Sequence, residues 1–290
     1  MHYEGKHIIR PPSEADSIIL QVTVGCSHNK CTFCGTYKEE RFRIKDEQVI
    51  EADLEFAAKY CRRQKRVFLA DGDVLILSQQ KLVNLFTRIK AKLPWVNRIS
   101  LYGNAKSIRH KSVAELTELK ALGLNRVYLG LETGHQQLLD KIRKGATPAQ
   151  MVEAAERIQA AGLFLSVTVL LGIGGVELSL DHAQATGRLL SLMQPNQIGI
   201  LTLMLLNNTP LYQDAQQGDF ILPDQQGMLV ELRTMIEHME LKRSQLQSNH
   251  ASNYLPLNAR MPKDKERILE AIDSALAGKT RLKPENMRAL

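Results

Sequence analysis

Cys26, Cys31 and Cys34, three of the chain's four cysteines, fall within nine residues of one stretch, QVTVGCSHNKCTFCGTY, from Gln21 to Tyr37. Their spacing is C-x4-C-x2-C, and they follow a β-branched run, Ile18 to Val24, that predicts a buried strand closed by Gly25. Three thiolates at a strand's end are soft ligands, suited to an iron–sulfur cluster or to zinc. Without a fourth protein thiolate one metal position stays open, which favours chemistry over scaffolding. A structural zinc knuckle is the alternative, with His28 or a distant histidine as its missing ligand.

Carboxylates and hydroxyls at other strand ends are further candidates. Asp71-Gly72-Asp73 follows one apolar strand, where an Asp-Gly turn is the simpler reading. Glu132 ends another, and an acid closing an apolar strand needs a partner if it is buried. Ser166 and Thr168 alternate with Val167 and Val169, so period two puts both hydroxyls on one face. Near the C-terminus, Ser248 to Pro256 is dense in side-chain donors and acceptors; a capping or turn network competes there with Asn249, His250 or Asn253 touching substrate.

The elements that must position these groups alternate regularly. After the cysteines, Ile50, Leu54, Ala57 and Cys61 share one face of a helix from Asp46 to Arg63, which makes Cys61 a small core residue. Strands are predicted at 66–70, 97–102, 126–131, 164–171 and 197–205. Helices are predicted at 78–93, after the Ser112/Glu115 capping box, and from Thr147-Pro148 to Gly162. Six strands separated by helices imply right-handed crossovers and a parallel sheet buried on both faces, with functional loops at the strands' C-terminal ends. The tail predicts a helix near Gln225 to Gln247, an irregular segment, and a helix from Lys263 to Ala277.

Composition bounds the rest. A 290-residue chain, 44% hydrophobic, can bury a sizeable core. Lys and Arg total 38 against 31 Asp and Glu, a net +7 that would assist binding to an anionic ligand or RNA. Clustered cysteines do not form a disulfide framework. No apolar run reaches the ~18 residues needed to span a bilayer, and the N-terminus carries no signal-like run, so a cytoplasmic protein is expected.

The cysteine trio, with Phe33 before its last member, resembles the radical S-adenosylmethionine (radical SAM) superfamily. The usual spacing there is C-x3-C-x2-C; the extra residue is similar to the elongator-type branch. The segment Leu129-Gly130-Leu131-Glu132-Thr133-Gly134 is similar to that family's G-L-E-[ST]-G motif, and Asn208-Thr209-Pro210-Leu211 to the N-T-P turn of coproporphyrinogen-oxidase-like members. The resemblance runs from about Ser17 to Tyr212.

It implies a partial six-unit β/α barrel over residues 17–215, preceded by an arm, 1–16, and followed by a helical extension, 216–290. It implies that Cys26, Cys31 and Cys34 hold three irons of a 4Fe–4S cluster and that S-adenosylmethionine chelates the fourth. Phe33 would lie beside that cofactor, Asp71, Gly72 or Asp73 would meet its ammonium, and Glu132 its ribose. Lys144, or its neighbour Arg143, would pair with its carboxylate. Ser166, Thr168 and the backbone near Met204 would complete the pocket.

The activity implied is reductive cleavage to a 5′-deoxyadenosyl radical that abstracts hydrogen from a small molecule, fed by a one-electron donor such as flavodoxin or ferredoxin. RNA modification is a second reading. A zinc-binding, nucleic-acid-binding module without catalysis is the alternative from another class.

Overall fold

The computed structural model describes residues 1–289. In chain order, β1 (Ile18–Gln21), β2 (Thr23–Val24), β3 (Arg43–Ile44), α1 (Glu47–Tyr60), β4 (Arg66–Ala70), α2 (Gln79–Lys92), β5 (Arg98–Tyr102), α3 (Ala105–Arg109), α4 (Val113–Ala121) and β6 (Leu124–Glu132) form the first half. There follow α5 (Gln136–Lys141), α6 (Pro148–Ala160), β7 (Phe164–Leu171), α7 (Ser179–Met193), β8 (Gln197–Thr202), α8 (Pro210–Gln217), α9 (Gln225–Glu237), β9 (Ser244–Gln247), β10 (Asn258–Met261) and α10 (Lys265–Leu276). Two compact units are present, and each draws on discontinuous segments.

The first unit comprises Met1–Asn29, Thr36–Leu129 and Glu156–Leu165. Its strands β1, β4, β5 and β6 lie side by side and parallel. On one face Leu20, Val67, Leu69, Leu101 and Val127 are fully buried, as are Leu54 of α1, Phe86 of α2 and Leu116 of α4. The alternate residues Ile19, Phe68, Ala70, Tyr102 and Tyr128 pack together on the other face, joined by Ile8 of the N-terminal arm. Period two therefore buries both faces, as a parallel sheet requires. Buried Glu14 ties the arm down, accepting hydrogen bonds from Ser17, the Tyr128 hydroxyl and Arg98.

The predicted strand 18–24 divides. Val22 donates to Ala70 O and accepts from Lys45 N, so after Gln21 the chain leaves β4 and pairs as β2 with β3.

The second unit comprises Lys30–Gly35, Gly130–Ala155 and Ser166 onward. Here β7, β8 and β9 run parallel, and β10 is antiparallel to β9. Its apolar cluster gathers Ile142, Leu170, Ile173, Leu203, Leu211 and Phe220, with Phe33 packed against it.

Two expectations need correction. The helix from Gln225 stops at Glu237, and Ser244–Gln247 is a strand: alternation of buried Ser244 and Leu246 with exposed Gln245 overrides helical spacing once β8 offers an open edge. Cys61 is not a core residue. It caps α1 half-buried, donating its N–H to Ala57 O, because the helix ends at Tyr60 to let the chain turn into β4.

Candidate functional site

In the first unit the site begins at Cys26, directly after β2. Gly72 lies close to it: a Cβ built at Gly72 would lie 3.0 Å from Cys26 Cβ and 3.2 Å from Tyr37 Cε2, so a larger residue fits only if these neighbours give by a few tenths of an ångström. Asp71 is buried, its carboxylate accepting from the Tyr37 hydroxyl at 2.7 Å and Gln21 Nε2 at 3.0 Å. Burial pushes the Asp71 carboxyl above its ordinary range, against the pull of those two donors. Asp73 is also buried and accepts from Ser27, Asn104 and Ser107.

In the second unit Phe33 fixes the Cys31–Cys34 segment by packing into the apolar cluster. Backbone bonds from Thr32 N to Ile142 O and from Leu211 N to Thr32 O hold it further. Asn208 Nδ2 donates to Gly35 O at 2.9 Å, and a side chain at Gly35 would collide with Asn208.

Glu132 ends β6 with φ of 66°, a left-handed conformation unusual for a residue with a side chain. Its carboxylate accepts from Lys144 Nζ at 2.8 Å, both side chains being mostly buried. Gly130 leaves the space this ion pair occupies: a Cβ there would collide with Glu132 Oε1. Sequence reading named both partners, and the structure brings them together. Ser166 and Thr168 share one face of β7, opposite Gln197 and Gly199 of β8. Met204 follows β8 where Arg288 Nη2 donates to Leu203 O at 2.9 Å.

The Ser248–Pro256 segment forms a network around the C-terminal end of β8. Asn253 donates to Ile200 O and accepts from the Thr202 hydroxyl, while Ser252 accepts from Thr202 N and lies 2.9 Å from His250 Nδ1. Asn249 is exposed.

Several participants escaped sequence reading. His182 and Glu231 are fully buried, with His182 Nε2 3.4 Å from Glu231 Oε1. Glu231 also accepts from Gly172 N and the Ser179 hydroxyl. His182 Nδ1 lies 2.8 Å from Thr133 Oγ1, beside Glu132. The available signal was Glu231 between Met228, Leu232 and Met235 on the apolar face of α9, where an acid requires a buried partner.

The donor set fits an iron–sulfur cluster chemically. It offers three thiols, none in a disulfide, with an aromatic ring beside the last. Among the described residues no three His, Cys, Asp or Glu side chains already converge on one metal position.

The model of the radical SAM superfamily matches residues 20–184, more than half of the chain. The chain belongs to the radical SAM superfamily. Radical SAM proteins use a 4Fe–4S cluster and S-adenosylmethionine, which decides against the zinc module.

Among radical SAM relatives, the chain is 23% identical over 230 residues to 4'-phospho-dehydrooxetanocin synthase of Priestia megaterium, covering 70% of this chain and 30% of that one. It is 27% identical over 178 residues to heme chaperone HemW of Bacillus subtilis, covering 61% and 46%. The chain thus spans less than half the length of either relative. Coproporphyrinogen III oxidase (HemN) from Escherichia coli, a radical SAM enzyme, shares the fold with TM-score 0.56 and 16% identity, over 76% of this chain and 51% of that one. The α/β architecture is that of the radical SAM partial barrel. No helix of the described residues is long and apolar enough to cross a membrane.

Proposed function

We propose that the chain is a radical SAM enzyme whose residues 17–215 form the catalytic core and 216–290 its extension, acting in the cytoplasm on a small-molecule substrate. Cys26, Cys31 and Cys34 are the cluster ligands. The observation that carries this reading is the C-x4-C-x2-C motif, placed at a strand's end inside the family match, with Gly72 cleared against Cys26.

When bound, the cluster and S-adenosylmethionine would supply reductive radical chemistry: one electron from a donor such as flavodoxin or ferredoxin would cleave the cofactor into methionine and a 5′-deoxyadenosyl radical able to take a hydrogen atom from the substrate. The protein's own residues bind, orient and exclude water. Glu132 would accept hydrogen bonds from the cofactor's ribose, and Lys144 would pair with its carboxylate. Phe33 and the apolar cluster behind it shield the cysteine side from water. Ser166 and Thr168 offer hydroxyls from β7, and the backbone near Met204 borders the adenine. The heme chaperone and coproporphyrinogen oxidase names of two similar proteins support a tetrapyrrole-like substrate.

Anaerobic cluster reconstitution, then S-adenosylmethionine and dithionite with chromatographic detection of 5′-deoxyadenosine, tests this reading. The product is expected from the wild type and from none of Cys26→Ala, Cys31→Ala and Cys34→Ala. An iron-loaded wild type that forms none with any reductant would overturn it.

A further inference from the structure

Asp73 stands where the family resemblance puts the group that meets the cofactor's ammonium, yet its surroundings are those of an anchor. The side chain is fully buried. Oδ2 accepts from the Ser27 hydroxyl at 2.6 Å and from Asn104 Nδ2 at 2.7 Å. Oδ1 accepts from the Ser107 hydroxyl at 2.6 Å and, more loosely, from Asn104 N at 3.4 Å. An ionised carboxylate has about four acceptor sites, and donors from three residues surround them here. Nothing remains for a fifth donor.

What these bonds hold is the first cysteine. Ser27 directly follows Cys26, and its hydroxyl is also 3.3 Å from Asn104 Nδ2. Gly72, the residue before Asp73, lies close to Cys26 as well: a Cβ built there would be 3.0 Å from Cys26 Cβ. Asn104 and Ser107 in turn cap and open α3, so the tether ends on a helix rather than on a mobile loop. The acid type matters: each carboxylate oxygen faces an N–H of Asn104, its backbone N–H on Oδ1 and its side-chain Nδ2 on Oδ2, so an asparagine would set its own N–H₂ against one of them.

We propose that Asp73 is a positioning residue that fixes Cys26 for the cluster through Ser27 and makes no contact with the cofactor ammonium. This rests on the reading of Cys26 as a cluster ligand.

The test uses the full chain, reconstituted anaerobically, with iron and sulfide per chain, the electron paramagnetic resonance spectrum of the dithionite-reduced cluster, and the S-adenosylmethionine concentration that half-shifts that spectrum. Ser27→Ala and Asp73→Asn are expected to carry at most half the wild-type iron, or to show an altered spectrum, whereas Ser27→Thr, which keeps the hydroxyl, behaves as wild type. Cluster that does form should respond to S-adenosylmethionine within twofold of the wild-type concentration. Wild-type iron and spectrum in both variants, with a tenfold or greater rise in that concentration for Asp73→Asn, would make Asp73 the cofactor contact and overturn the proposal. Wild-type behaviour of Ser27→Ala in every readout would also overturn it. If Asp73→Asn does not fold, the Ser27 pair decides. A Cys26→Ala protein with the wild-type cluster spectrum would instead remove the underlying reading, an outcome independent of the Asp73 result.

Discussion

Glu132 carries an unfavourable backbone conformation, and left-handed residues with a side chain cost on the order of 1–3 kcal/mol unless their surroundings impose them. The imposing contacts are the 2.8 Å bond from Lys144 and the Thr133 hydroxyl held against His182. Lys144→Met would delete that cation. It should weaken S-adenosylmethionine binding about tenfold or more, the scale of one lost charge-assisted hydrogen bond, with iron content unchanged. Equilibrium binding on reconstituted protein measures this, and wild-type affinity in the variant would refute the assignment.

The buried pair behind it sets a pH signature. Burial pushes Glu231 from 4.5 up to about 7 despite its donors Ser179 and Gly172, so the folded chain takes up a proton there. Its contribution is full below pH 4.5 and is lost as pH rises towards 7. Burial, with His135 nearby, holds His182 down at about 3 from 6.5, so its contribution is full above pH 6.5 and is lost as pH falls. The two slopes oppose each other between pH 4.5 and 6.5. Removing the acid as Glu231→Gln should leave the histidine's slope alone. The variant's urea-unfolding free energy, relative to wild type, should therefore climb with pH from 4.5 to 7; a constant difference would contradict the assignment.

Elements announced themselves where local chemistry and tertiary packing agree. The Ser112/Glu115 capping box forms reciprocally at the start of α4, and Thr147 and Gln150 bond each other's backbone N–H groups at the start of α6. Ser112→Ala should cost about 1 kcal/mol in urea unfolding without changing cofactor binding. The central strands were legible because parallel strands buried on both faces read as apolar runs. What stayed hidden depends on partners distant in sequence. Ser244–Gln247 becomes a strand only because β8 presents an edge, and Val22 ends β1 only because Lys45 competes for it. The same holds in the site. Cysteine spacing named the thiols and strand ends named Glu132. The anchoring of Asp73 by Ser107, 34 residues away, has no local signature.

At the scale of the whole molecule, each compact unit closes its own apolar core without recourse to metal. Leu54, Phe86 and Leu116 are fully buried in the first, and Leu170, Leu203 and Phe220 cluster in the second. Small metal-dependent domains unfold without their ion because ligation supplies most of their folding energy; a chain with cores of this size does not depend on it. The segment that does depend on the cluster is Gly25 to Gly35. Besides the Ser27 tether to Asp73, its ties run mostly through side chains and single backbone bonds, among them Asn29 Nδ2 to Tyr37 O, Lys38 Nζ to Asn29 O, Thr32 N to Ile142 O, Leu211 N to Thr32 O and Asn208 Nδ2 to Gly35 O. Stripping the cluster with an oxidant and a chelator should therefore leave far-ultraviolet circular dichroism and cooperative urea unfolding intact. Amide hydrogen exchange should rise in residues 25–35 and stay unchanged in β4, β5 and β6, because local opening follows local contact density. Loss of exchange protection throughout those strands would mean instead that the cluster is a structural keystone.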